Sequence, residues 1–111
     1  MYSSGEIVLI SFPFTNLTDS KIRPALVISE LKEDIIVVGI FSKIPDMLEE
    51  SWLLINEEDP WFKQTGLKKT SVIKTGKIAV IHHSIVRKKL GKLPEDIFGL
   101  VKEKLRKTLK I

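Results

Sequence analysis

Arg23, Lys21, the Lys68–Lys69 pair and the adjacent His82 and His83 are the residues best suited to chemistry in this chain. Arg23 stands directly before Pro24 and the apolar run of "RPALVIS", so a permanent charge sits at the mouth of an apparent buried strand. Pro24 has a topological explanation, because proline is confined to a strand's first residue or to an edge. Arg23 has a chemical one: its rigid fork of five donors matches the oxygens of a phosphate. The competing reading is an ion pair with a nearby Asp or Glu, which contributes little at a surface. Imidazole titrates near neutrality, which makes each histidine a candidate general base. Neighbours on one strand face opposite sides, so at most one of the two can reach a given site. Lys21, Lys68 and Lys69 suit phosphate contacts, where position matters more than fine geometry. With no cysteine and only two histidines, neither a metal site nor a cofactor is expected.

Charge is strongly segregated behind the net value of +4. Residues 44–62 hold six carboxylates and no Lys or Arg, whereas residues 60–94 hold nine Lys or Arg and no Asp or Glu. A basic surface of this kind attracts polyanions by charge alone. The alternative is a solvated face that serves only solubility.

The 111 residues suit a single domain over 1–111, with no internal repeat, linker or low-complexity segment. No uncharged run reaches the roughly 18 apolar residues of a membrane-spanning helix. The opening "MYSSGEIVLI" lacks a basic leader region, so no signal peptide is expected and the cytoplasm is the simplest compartment.

The first two-thirds read as short strands: "GEIVLISF", "RPALVISE", "DIIVVGIFSKI" and "SWLLIN". "TSVIK" and "KIAVIHH" follow, joined by a tight turn around Gly76. "PFTNLTDSKI" is the loop between the first two. These strands are β-branched and almost continuously apolar, as in strands buried on both faces or closed into a small barrel. "HSIVRKKLG" reads as a short helical segment closed by Gly91. A terminal helix should begin near Pro94, with Glu95 and Asp96 at its positive end. Its apolar stripe is Ile97, Val101, Leu105 and Leu109, broadened by Phe98 and Leu100.

With its Gly-acidic-Ile-Val opening, "FPFT", "RPALVIS" and the late "GLKKTSVIK…GKL", the chain resembles the MazF/PemK toxins of type II toxin–antitoxin systems, from Gly5 to about Leu109. The resemblance implies an SH3-like small barrel of antiparallel strands plus a C-terminal helix, commonly a homodimer. It further implies metal-independent endoribonuclease activity on single-stranded RNA, mRNA in particular, inhibited by a cognate antitoxin protein. Arg23 falls on the family arginine that assists transfer at the scissile phosphate.

One position departs from the family pattern. Phe41 in "GIFSKI" stands where the family commonly has a threonine, the hydroxyl partner of that arginine. Phe41 neither donates nor accepts a hydrogen bond. Either Ser42 or a loop hydroxyl such as Thr15 supplies the missing group, or catalysis is weakened or lost. Ser42 faces the other side of the strand unless a bulge re-aims it. Phe41 itself is either core or a stacking surface for an RNA base. Trp52 and Trp61 read as core or interface residues. Beside the nuclease stand two other functions, a non-catalytic nucleic-acid-binding module and a toxin acting on a topoisomerase.

Overall fold

Runs of β-branched residues become strands where both faces of the chain can be covered. The computed structural model describes residues 1–11 and 22–111, and six strands form among them. They are β1 (Glu6–Ser11), β2 (Ile22–Glu30), β3 (Asp34–Phe41), β4 (Trp52–Ile55), β5 (Ser71–His82) and β6 (Lys88–Lys92). The helix α1 (Glu95–Leu109) follows. All pairings are antiparallel, in the order β4-β5-β3-β2-β1-β6. The result is a curled half-barrel, the mainly β architecture with one terminal helix expected from the sequence. Thr15, Lys21 and nearly all of the expected loop lie outside the described residues.

The uninterrupted apolar runs are explained by a core on each side of the sheet. Ala25, Leu26 and Val27 are consecutive, and all three are fully buried. Leu26 joins Ile7, Val38, Ile40, Ile73 and the helix residue Val101 on one side. Ala25 and Val27 join Val8, Ile10, Ile35 and Val37 on the other. Alternation along the strand assigns the sides.

Three irregularities bend the sheet, since an extra residue on one strand sharpens local twist. Ile28 is extra between β2 and β3, and Leu90 is extra between β6 and β1. The largest lies on β5, where Lys74 pairs with Gly39 but Ile78 pairs with the next residue, Val38. Thr75, Gly76 and Lys77 are thereby displaced from the ladder. This corrects the expected turn: β5 is one strand of twelve residues, and Gly76 lacks the positive φ of a two-residue hairpin turn. Continuous β3 pairs with both halves of β5 and holds them in one strand. The displaced Thr75 is buried, with its hydroxyl 2.8 Å from the Ser51 carbonyl and 2.7 Å from the Thr108 hydroxyl.

The segment expected to be helical before Gly91 is instead a three-residue 3-10 turn, His83–Ile85, followed by edge strand β6. Lysines suit an exposed edge because they discourage pairing with another chain. Gly91 is required by a close approach and closes no helix. A Cβ there would stand 2.1 Å from the Gln64 carbonyl oxygen. Gly66, at φ 74°, meets the Leu90 carbonyl equally closely. These contacts seat β6 against the 3-10 turn Phe62–Thr65, and the Gln64 amide donates to the Lys92 carbonyl at 3.0 Å.

Helix α1 starts just after Pro94, with Glu95 and Asp96 in its first turn and Arg106 and Lys107 in its last. Val101 is fully buried, and Ile97, Phe98 and Leu105 pack beside it. Leu100 and Leu109 are not part of the buried stripe, being 51% and 47% exposed. No described helix is long and apolar enough to cross a membrane.

Candidate functional site

Sheet pairing gathers two cations and two aromatic rings into one row. Arg23 pairs with Ile10 of β1; on the other edge of β2, Ala25 pairs with Gly39, and continuing that register by two residues sets Arg23 opposite Phe41. The Arg23 guanidinium carbon lies 5.6 Å from the Phe41 ring centroid. Lys74 Nζ, from β5, lies 4.7 Å from the same centroid and 4.5 Å from that of Trp52. Trp52 is Lys74's cross-strand partner on β4. The row Arg23–Phe41–Lys74–Trp52 therefore crosses β2, β3, β5 and β4, and all four residues are half-buried. Phe41 also packs against the core that contains Ala25 and Val27.

Arg23 is electrostatically unusual. Its Nε is buried and has no hydrogen-bond partner among the described residues. The ion pairs found there join Lys89 to Glu6, Arg106 to Glu103 and Lys107 to Glu50, so neither Arg23 nor Lys74 is neutralised by a described carboxylate. Leaving a buried donor unmade costs roughly 1–3 kcal/mol, and more when the group is charged. The plain ion-pair reading of Arg23 has no partner among these residues.

Ser42, Lys68 and Lys69 do come together, but around a different feature. They line a cavity of about 340 Å³, with Leu9, Pro24, Leu67 and Leu90 among its apolar walls. Lys88 joins its rim. Arg23 is not among the lining residues, although its neighbour Pro24 is. Alternation explains the division: Pro24 and Ser42 turn to one side of the sheet, Arg23 and Phe41 to the other. Lys88 was missed because its basic run read as helical. Lys74 was missed because a lysine between apolar strand residues carries no signal of the rings that meet it.

His82 and His83 do not divide between the faces as strand alternation suggested. Both are exposed, with ring centroids 4.4 Å apart, because the chain leaves the strand for a 3-10 turn at His83. His82 Nδ1 lies 2.8 Å from the Ser84 hydroxyl. The pair stands apart from both the row and the cavity lining.

Residues 3–109 match the family described as PemK-like, MazF-like toxin of type II toxin-antitoxin system. The chain belongs to that toxin family. No curated protein sequence matches it significantly. Among solved structures, it is similar to a mycobacterial endoribonuclease in complex with its cognate antitoxin, at a TM-score of 0.76 and 13% identity. That match covers 100% of this chain and 97% of the other. MazF from Deinococcus radiodurans matches at a TM-score of 0.75 and 18% identity, over 99% of this chain and 97% of that one. A MazE–MazF structure from the same organism matches at 0.73 and 19%, with the same coverage. At these identities the likeness is one of fold. Within this MazF-like fold, the Phe41 ring faces Arg23.

Proposed function

We propose that the chain is a toxin-type, metal-independent endoribonuclease that cleaves single-stranded RNA and is neutralised by a cognate antitoxin. The observation that carries this reading is the buried Nε of Arg23, unpartnered among the described residues, in a row that has no described counter-charge. A donor held out of water without a partner is suited to an anion that arrives later. In the reaction, the 2′-oxygen attacks phosphorus, the bond to the 5′-oxygen breaks, and a 2′,3′-cyclic phosphate and a 5′-hydroxyl result. Negative charge accumulates on the non-bridging oxygens in between. A preorganised guanidinium stabilises that charge with its planar fork of donors. Ser42 is the hydroxyl we assign to the site alongside Arg23. Because the two face different sides of the sheet, the substrate must pass over the rim at Pro24 to meet both. Thr15, Lys21, Lys68 and Lys69 are assigned to phosphate contacts along the strand. The cytoplasm is the compartment of this activity.

The decisive experiment is incubation of the purified protein with a long single-stranded RNA in EDTA. Cleavage to fragments with cyclic phosphate ends is the expected result; intact RNA overturns the reading.

A second reading has its own observation. Phe41 occupies the space before Arg23 and supplies no hydroxyl. On that basis the chain binds nucleic acid without cutting it, and intact but tightly bound RNA would be the outcome. As for assembly, we propose a homodimer, motivated by Leu100 and Leu109 on the outer helix surface and Val80, 59% exposed on β5. Light scattering at tens of micromolar, on the order of common dimer affinities, should give twice the 12.6 kDa chain mass. A monomer at that concentration overturns the dimer.

A further inference from the structure

We propose that Lys74 and Trp52 form a nucleotide subsite beside Arg23, in which Lys74 takes the phosphate next to the scissile one and Trp52 stacks on that nucleotide's base. This rests on the RNA-binding reading of Arg23 and extends it to two residues on other strands.

The argument starts from charge. Arg23 and Lys74 approach one ring, that of Phe41, at 5.6 and 4.7 Å. The two positive charges flank this ring, and no described carboxylate pairs with either. The half-buried position weakens screening by solvent. An anionic strand laid across β2, β3 and β5 supplies the counter-charge at both positions together.

The rings specify what kind of anion fits. Surfaces that hold single-stranded nucleic acid combine cations that track the backbone with aromatic faces on which bases stack. Trp52 lies beyond Lys74 in the row, with the ammonium 4.5 Å from its centroid. Without RNA, the ammonium rests on the two rings. A phosphate offers it a charge-assisted hydrogen bond, which is stronger than a cation–π contact at a half-exposed site. Moving to the phosphate uncovers the indole, so charge binding and base stacking are coupled in one side-chain movement. Phe41 acts as the fixed spacer between the two cations and restricts how the strand can be placed.

The test uses the chain's two tryptophans. Trp61 packs against the opposite core, so Trp61→Phe leaves Trp52 as the sole indole. This variant is titrated with a mixed-sequence single-stranded oligoribonucleotide carrying 2′-O-methyl groups, which block the attacking hydroxyl. Trp52 fluorescence should be quenched on binding. Adding Lys74→Met should weaken binding about tenfold and reduce the slope of log K against log salt by about 0.7, the value for one single-strand phosphate released. Lys74→Arg should keep most of that slope, and thermal unfolding of each variant separates a folding defect from a binding one. An unchanged slope with Lys74→Met, or no quenching of Trp52 at saturation, overturns the subsite even if wild type cleaves RNA in EDTA. Quenching and a Lys74-dependent slope without any cleavage support the subsite and remove the nuclease reading. Poly-glutamate reproducing both signals where RNA does not would make the occupant an acidic peptide, and the nucleotide assignment falls.

Discussion

The guanidinium carbon of Arg23 stands 5.6 Å from the centre of the Phe41 ring, with its Nε buried and unpartnered among the described residues. The residue combines two features that oppose stability: a partly desolvated charge and a hydrogen bond unmade among the described residues. Arg23→Ala should therefore abolish EDTA-resistant cleavage, with a loss of roughly 100- to 1000-fold. The fold should be retained, with stability changed by no more than about 1 kcal/mol, because Nε makes no hydrogen bond among the described residues. Arg23→Lys should rescue poorly, since an ammonium lacks the planar fork. Full activity in either variant would remove Arg23 from the chemistry.

Phe41→Thr places beside Arg23 the hydroxyl that the family resemblance leads one to expect there. If Phe41 limits catalysis, this substitution should raise RNA cleavage in EDTA. It should also cost about 1–3 kcal/mol by urea unfolding, because a ring packed on the core of Ala25 and Val27 is removed. If wild type is inactive and the folded Phe41→Thr protein stays so, the nuclease assignment fails and the binding-module reading takes its place.

The cavity rim makes a different prediction from Arg23. Lys68→Ala with Lys69→Ala should weaken RNA binding across sequences and flatten its salt dependence by about 0.7 for each phosphate that is no longer neutralised. These side chains are exposed, so unfolding curves should hardly move. A change in the preferred cleavage sequence, rather than in overall affinity, would argue for base contacts instead.

Two glycines distinguish the observed topology from the one the sequence suggested. Gly91→Ala drives a Cβ to within 2.1 Å of the Gln64 carbonyl oxygen, so it should destabilise by about 3 kcal/mol or more. Gly76→Ala meets nothing within 4 Å and should change stability by less than about 0.5 kcal/mol. A hairpin turn at Gly76 would instead make Gly76→Ala costly, as alanine tolerates positive φ poorly. Paired urea titrations decide it.

The strands and the terminal helix were legible in the sequence because hydrophobic period is a local property. Apolar runs such as "ALVI" identify strands buried on both faces, and the spacing of Ile97, Val101 and Leu105 identifies the helix. Arg23 was legible for a similar reason, since a charge next to Pro24 contradicts the pattern around it. Tertiary structure decided what depends on partners distant along the chain. Continuous pairing with β3 made a bulge of Thr75–Lys77, and pairing with Ile7 of β1 made Gly91 part of an edge strand. Leu100 and Leu109 fit the helical period, yet only packing against the sheet could show that the buried stripe excludes them. The row from Arg23 to Trp52 draws one residue from each of four strands, so its spacing in sequence has no period to detect. Cross-strand register alone sets those distances, and register is fixed only when the sheet assembles.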